Sequence, residues 1–352
     1  MGTYTRSGGK GIYSLSLDEA TGDLQITGVT EGIRNPAFLD ITPDGKYLYS
    51  VSEITDFQGQ SAGGIVAYKI DPSTLKLDRL NEQNTIGPGP CHVSVDQNQH
   101  CVLVANYTGG SVVSFPLAED GRLQPPGSFF QHEGSSVNPD RQEGPHGHSI
   151  YPTSDNRFAL APDLGLDQVM IYKLNAPEGL LSPHSPAFAT IEPGHGPRHL
   201  DFHPHGKWVY VINEMGNSIT AFHLAEDGSL EKFQQVPTLP DDFTGESTCA
   251  DIHVHPTGKF LYGSNRGHDS LVIYAIDPEN GTLNYVGHET RDCSTPRNFS
   301  ISPDGKFILV GNQDKDVIAT FRVDEATGLL EHTEHLTPVP APVCLKFLPA
   351  PS

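Results

Sequence analysis

A strand–turn–strand unit that recurs along the chain constrains this sequence more than any other feature. Its clearest copy, residues 196–214, contains an alternating run, the turn Pro204-His205-Gly206-Lys207, and a β-branched and aromatic run. Gly and Pro at such a turn reverse the chain, and the flanking residues favour strands. The other copies are residues 35–53, 90–107, 145–160, 249–262 and 296–310, and residues 342–347 hold a first strand alone.

A second pair of strands lies between the copies. Residues 64–70 and 269–276 predict third strands, and turns such as Asp120-Gly121 and Asn280-Gly281 predict the hairpin to a fourth. Four-stranded units with a period of roughly 46 to 55 residues are typical of propeller blades. We therefore predict an all-β, seven-bladed β-propeller that forms a single domain over residues 1–352. We expect the ring to close where the C-terminal first strand pairs with the three N-terminal strands, the first of which is short.

The composition narrows the class of protein. The 36 Gly and 29 Pro suit many short strands, and the formal net charge of −21 disfavours nucleic acid or an anionic membrane as a partner. The five Cys form no C-x-x-C motif, which indicates reduced thiols. Because no apolar leader or long apolar stretch is present, we expect a cytoplasmic protein, either monomeric or weakly dimeric.

Candidate functional residues occupy the positions at which otherwise similar units differ. In an antiparallel pair, the start of the first strand and the end of the second lie at the same end of the unit. Arg side chains bind carboxylate or phosphate through paired hydrogen bonds, and a His among them has a lowered pKa and can act as a base. We predict an anion-binding site here, although the same Arg–Glu pairs could simply fill a wet channel. Eight residues before or after the turn centres lie His148, Arg198 and Arg297, and Glu53, Glu214 and Arg266.

Three His-x-His pairs could in principle chelate a metal ion, since alternate residues of a strand share a face. They are His146/His148, His203/His205 and His253/His255. The last two pairs adjoin turns, at the opposite end of the unit from the predicted anion-binding site. None of the three pairs has a convincing set of carboxylate ligands. We predict neither a metal site nor a cofactor.

Four motifs carry a resemblance to a known family. They are Gly-Pro-Arg-His at 196–199, Val-Ile-Asn-Glu at 211–214, Ala-Asp-Ile-His-Val-His-Pro at 250–256 and Pro-Arg-Asn-Phe at 296–299. With them the whole chain resembles the seven-bladed propeller lactonase family, which includes the propeller type of 6-phosphogluconolactonase and the fungal carboxymuconate lactonising enzyme. Gly-Thr-Tyr-Thr at 2–5 and Pro-His-Gly-His-Ser at 145–149 resemble its bacterial lactonase branch.

The resemblance implies a cofactor-free site in the channel mouth. It matches His148, Arg198, Glu214 and Arg266 to the family's proposed catalytic set. We predict that five further residues bind the substrate, namely Arg297, Glu53, His199, Asp251 and His146.

The function predicted from the resemblance is lactone hydrolysis, with 6-phosphogluconolactone as the substrate. In this hypothesis Arg297 and a second Arg hold the phosphate, and Arg198 or Arg266 stabilises the oxyanion. His148 deprotonates the attacking water, and Glu214 positions Arg or His. Three alternatives remain open at this point: a carboxymuconate cycloisomerase, a non-catalytic propeller scaffold, and a metal-dependent lactonase of another propeller type.

Overall fold

Six four-stranded antiparallel sheets make up most of the protein. The computed structural model describes residues 1–349. Each sheet is built from consecutive strands in chain order, as a meander requires. The first contains β4 (Leu39–Ile41), β5 (Tyr47–Ser52), β6 (Gly64–Ile70) and β7 (Leu77–Asn84). The second contains β8 (Pro90–Val95), β9 (Cys101–Asn106), β10 (Ser111–Pro116) and β11 (Ser128–Gln131).

The remaining four sheets repeat this order. The third contains β12 (Tyr151–Pro152), β13 (Phe158–Asp163), β14 (Gln168–Asn175) and β15 (Leu180–Thr190). The fourth contains β16 (Pro197–Phe202), β17 (Trp208–Asn213), β18 (Ser218–Leu224) and β19 (Leu230–Pro237). The fifth contains β20 (Thr248–Val254), β21 (Phe260–Arg266), β22 (Ser270–Ile276) and β23 (Leu283–Glu289). The sixth contains β24 (Pro296–Ile301), β25 (Phe307–Asn312), β26 (Val317–Val323) and β27 (Leu330–Pro338).

The four other strands form two two-stranded sheets. β28 (Pro342–Cys344) pairs with β1 (Gly2–Thr3), and β2 (Ile12–Leu17) pairs with β3 (Leu24–Thr30). The all-β propeller is confirmed, but the structure shows six four-stranded blades where the sequence predicts seven. The physical reason is length, because β28 and β1 contribute only three and two residues to a ladder. Between the two small sheets, the backbone of Met1 exchanges two 2.8 Å hydrogen bonds with that of Tyr13.

Neighbouring blades are joined by a contact that recurs around the molecule. Tyr49, Tyr210 and Tyr262 each donate a buried hydroxyl hydrogen bond, of 2.8 to 2.9 Å, to a turn glycine of the following blade. Those glycines have positive φ, and a Cβ on any of them would collide with an aromatic ring of the preceding blade. The Gly22 turn before β3 packs in the same way on Phe307 of the sixth blade. The turn that joins β2 to β3 therefore packs on the sixth blade.

Apolar side chains from facing blades fill the spaces between them. Tyr210, Ile212 and Ile252, all at most 1% exposed, belong to one such cluster. A cavity of about 630 Å³ remains beside the two small sheets, lined mainly by apolar residues that include Met1, Leu24 and Phe347. The helices of the described residues are three-residue 3-10 turns at Thr5–Ser7, Ala176–Glu178 and Gln313–Lys315, and none is long or apolar enough to cross a membrane.

Candidate active site

A polar pocket of about 450 Å³ opens where the first strands of the blades begin and the second strands end. Its lining comes from several blades, as the counting of positions along the repeat predicts. The lining includes Tyr4, Arg6, Glu53, Cys91, Tyr107, Arg141, His148, Glu214, Arg266, Arg297 and Gln313. A much smaller cavity of about 10 Å³ lies against it and contacts Arg198, His199 and Arg297.

β-Bulges place three of the side chains at this end. In β16 the pairing runs from Pro197 opposite Asn213 to His199 opposite Ile212, so that Arg198 is the extra residue. The same shift makes Arg297 the extra residue of β24 and Cys91 that of β8. A bulge bends its strand and redirects a side chain. As a result Cys91, Arg198 and Arg297 all line the smaller cavity, and Cys91 and Arg297 also line the pocket.

Three arginine side chains contact the carboxylate of Glu214. Its Oε1 accepts a 2.7 Å hydrogen bond from Arg141 Nη2, and its Oε2 lies 3.0 Å from Arg198 Nε and 3.1 Å from Arg266 Nη2. Burial alone would raise the pKa of this carboxyl, but the charges of Arg266 and Arg198 outweigh burial and the pKa falls to about 2. Glu214 is therefore an ionised anchor for guanidinium groups and not a proton acceptor at neutral pH.

The anchored arginines keep unused donors. Arg198 Nη1 donates a hydrogen bond to the Ala250 carbonyl at 2.6 Å and lies 3.2 Å from His199 Nε2. No described residue accepts a hydrogen bond from Arg198 Nη2. Arg266 donates from Nη2 to the Cys249 carbonyl at 2.7 Å and lines the pocket, and no described residue accepts from its Nη1. Donors held in place but left unpaired are suited to stabilise a negative charge on a bound molecule.

His148 lies beside this arginine cluster. Its Nε2 is 3.8 Å from Glu214 Oε2, and its ring meets Tyr107 edge to face at 5.2 Å between centroids. Burial, followed by the positive charge of Arg198, holds the pKa of His148 well below its ordinary value. The imidazole is therefore neutral at physiological pH and able to accept a proton.

A hydrogen-bonded chain lies beneath Arg198. His199 Nδ1 is 2.7 Å from Asp251 Oδ1, and the other Asp251 oxygen lies 3.2 Å from His253 Nε2. Burial lowers the pKa of His199 to about 4, whereas the carboxylates of Asp251 and Asp201 overcome burial and raise the pKa of His253 to about 9. His199 thus contacts both Arg198 and Asp251, and neither His199 nor Asp251 lines the larger pocket.

The other predicted substrate-binding residues are more dispersed. Glu53 lines the pocket, but its carboxylate accepts the Tyr4 hydroxyl at 2.9 Å and lies 3.4 Å from Arg6 Nη2. His146 stacks on Tyr107 at 4.6 Å between centroids, behind the pocket wall. Arg297 lines both cavities. Substrate binding by these residues stays a prediction.

Sequence reasoning missed several charged or aromatic pocket residues as functional candidates, among them Arg141, Tyr4 and Arg6. Arg141 lies outside the strands, between β11 and β12, and reaches Glu214 from there. The length of this connection, over residues 131–144, was the available signal, since long loops at this face can wall a pocket. Tyr4 follows the short strand β1, whose two residues are too few to show which side chains face the pocket.

Cys91 and the histidine pairs show no sign of further chemistry. Burial raises the pKa of the Cys91 thiol to about 12, so the thiol is protonated at neutral pH. Among residues 1–349, no group of three or more His, Cys, Asp or Glu side chains is arranged to hold a metal ion.

Comparison with known proteins identifies the family. The model of a family described as "Lactonase, 7-bladed beta-propeller" matches residues 1–347. The chain belongs to this lactonase family. A curated relative from Bacillus subtilis named 6-phosphogluconolactonase is 38% identical over 350 residues, which cover 99% of this chain and 97% of the relative. One from Formosa agariphila with the same name is 37% identical and covers 85% of each chain.

Solved structures of similar proteins agree with this assignment. The periplasmic gluconolactonase PpgL of Pseudomonas aeruginosa superposes with a TM-score of 0.92 at 33% identity, over 99% of this lactonase-family chain and 97% of its own. A putative 6-phosphogluconolactonase from Bacteroides fragilis superposes with a TM-score of 0.91 at 38% identity, over 98% and 96% of the two chains. The names of these relatives differ in whether the lactone carries a phosphate, and PpgL alone among those named here is called periplasmic.

Proposed function

We propose that this protein hydrolyses a sugar lactone, with 6-phosphogluconolactone as substrate and 6-phosphogluconate as product. The observation that carries the proposal is a neutral buried imidazole beside three guanidinium groups fixed on one carboxylate. Hydrolysis of a cyclic ester needs a base for water and a positive charge for the oxyanion, and this arrangement offers both. The names of the Bacillus and Formosa relatives support the choice of substrate.

In the proposed mechanism, His148 takes a proton from water while the water oxygen attacks the lactone carbonyl carbon. The carbonyl oxygen becomes an alkoxide, and the free donors of Arg198 and Arg266 stabilise its charge. The tetrahedral intermediate then collapses, and the bond between that carbon and the ring oxygen breaks. The ring oxygen takes the proton from His148 and becomes a hydroxyl group, and the new carboxylic acid ionises in water.

A coupled assay tests this function directly. The enzyme should accelerate hydrolysis of 6-phosphogluconolactone above the spontaneous rate, and His148→Asn should lower kcat roughly a hundred- to ten-thousandfold. Arg291→Gln is a matched control, because Arg291 is exposed and pairs with Glu334 at 2.6 Å outside the pocket. Wild-type activity in His148→Asn would refute the site. Turnover of a carboxymuconate with no lactonase activity would refute the reaction, and loss of activity on chelation would point to the metal-dependent alternative.

We also propose that β28, β1, β2 and β3 together act as a seventh blade that closes a single ring. The Met1–Tyr13 hydrogen bonds and the packing of Gly22 on Phe307 support this arrangement. Lengthening of β1 by design, with residues added before Met1, should raise the free energy of unfolding if the blade is real. Unchanged stability in urea would count against it.

For location and assembly, we propose a cytoplasmic enzyme that is monomeric or weakly dimeric. Five unpaired thiols support a reducing compartment. Cell fractionation checks the location, and sedimentation over a range of concentrations checks the assembly.

A further inference from the structure

The pocket has two unlike sides, and one of them has no function in the mechanism above. On the first side, Arg141, Arg198 and Arg266 share the carboxylate of Glu214. The other side contains Arg297, Tyr4 and Arg6, which line the pocket together with Arg141 and Arg266. A role for this second side depends on the proposed lactonase function, because it concerns the part of the substrate remote from the reacting carbonyl.

Arg297 is a partly buried cation without a paired anion. No carboxylate oxygen within residues 1–349 lies within 4.0 Å of its guanidinium nitrogens, and no described residue accepts a hydrogen bond from them. Glu53, the acidic side chain on this side, is occupied by the Tyr4 hydroxyl and by Arg6. An arginine that lines a pocket and whose N–H donors have no acceptor within residues 1–349 is suited to an anionic ligand.

Arg297 is nevertheless held in place. Its backbone is the bulged residue of β24, next to buried Pro296 and Asn298. Its guanidinium carbon lies 5.5 Å from the centroid of the Tyr4 ring. A planar guanidinium on a strand and against an aromatic ring is oriented before the ligand arrives, which favours recognition of a phosphate by its fork of donors.

A second cation adjoins the same ring. The guanidinium carbon of Arg6 lies 4.0 Å from the Tyr4 centroid, and the side chain is 54% exposed at the rim. Two guanidinium groups gathered around one ring repel each other, and one carboxylate, Glu53, offsets only part of that charge. A doubly charged anion placed between them would relieve the repulsion.

We propose that Arg297, with Tyr4 and Arg6, forms a phosphate subsite by which this enzyme selects a phosphorylated over an unphosphorylated lactone. The pocket volume of about 450 Å³ is in the range of small-ligand sites, so one hexose-sized lactone can reach both sides. In this proposal, the residues around Glu214 act on the lactone carbonyl, and Arg297 with its neighbours binds the phosphate.

The test compares two substrates in one variant. The ratio of kcat/KM for 6-phosphogluconolactone to that for gluconolactone should fall roughly ten- to a hundredfold in Arg297→Gln, the range for one charged hydrogen-bonding group. Arg297→Lys should recover part of the ratio, because it restores the charge without the fork. The control Arg291→Gln should keep the wild-type ratio. An unchanged ratio in folded Arg297→Gln overturns the proposal.

A binding measurement separates this subsite from the reaction. Calorimetry should show that wild type binds 6-phosphogluconate at least about tenfold more tightly than gluconate, and that Arg297→Gln loses this preference. If wild type hydrolyses neither lactone but keeps this preference, the proposed reaction fails and the subsite stands. Equal affinity of wild type for the two acids overturns the subsite whatever the activity.

Discussion

The two large cavities of this protein differ in their lining far more than in their size. The cavity beside the small sheets encloses about 630 Å³ among side chains such as Leu24, Leu309 and Phe347. The pocket at the strand ends encloses about 450 Å³, and its lining includes four arginines. The larger cavity is walled mainly by apolar side chains, whereas the smaller one holds paired charges in defined geometry. In this protein the lining residues of a cavity therefore indicate its function better than its volume does.

Removal of the Glu214 carboxylate should have the largest effect on the polar pocket. Glu214→Gln leaves three guanidinium groups without their shared anion, so kcat/KM should fall roughly a hundred- to a thousandfold. The free energy of unfolding should fall by about 3–5 kcal/mol, as expected when one partner of a buried ion cluster is lost. Steady-state kinetics and urea unfolding measure the two effects. A variant that kept both would show that Glu214 does not organise the site.

A truncation at the apolar cavity should lower stability without lowering activity. Leu24 is 5% exposed and lines that cavity. Leu24→Ala should lower the free energy of unfolding by about 2 kcal/mol, the low end for such a truncation because a cavity already adjoins the side chain. Its kcat/KM should match wild type. Lost activity in a variant that is still folded would mean that the two cavities are coupled.

A smaller effect is expected from the charged histidine beneath the pocket. The pKa of folded His253, about 9, lies above its ordinary value of 6.5, so its stabilising contribution is complete below pH 6.5. That contribution is lost as the pH rises through about 9. Urea unfolding at about pH 6 and about pH 9.5 should therefore show a larger decrease for wild type than for His253→Gln. Equal decreases would contradict a charged His253.

The smallest expected effect is no change at all. Because the pKa of His148 lies well below 6.5, its imidazole stays neutral between about pH 6 and 8. With gluconolactone, which carries no titrating phosphate, and once the spontaneous rate is subtracted, kcat/KM should be level over this range and decline only in more acidic solution. An inflection near the ordinary histidine pKa of 6.5 would show that His148 titrates normally and is not held neutral by burial and Arg198.

The repeat made much of this structure predictable. Asn156 stands where other units have a turn glycine, and its φ of 56° resembles the 70° of Gly45 and the 75° of Gly206. Counting along the repeat also placed His148, Arg198, Glu214 and Arg266 at one end, where the structure brings them together. Similar backbone paths in successive units make such counting reliable.

The remainder depended on features that the repeat does not encode. Arg141 comes from a connection outside the repeat, so no position in another unit indicates where it points. His199 and Asp251 lie in the predicted motifs, yet strand alternation and local pairing direct them to each other beneath the pocket. The bulges at Arg198 and Arg297 could not be predicted, because no residue type in these strands marks the position of the extra residue.

Those bulges have a consequence for how this enzyme could change over time. Cys91, Arg198 and Arg297 occupy the same place in three blades, and none of them takes part in the regular ladder that holds its blade together. Of the three, the Arg297 side chain makes no hydrogen bond or ion pair with another residue of 1–349, whereas Arg198 also anchors Glu214. Randomising Arg297 would therefore alter which molecules the protein accepts at little cost in stability, while exchange of Arg198 would weaken the fold as well.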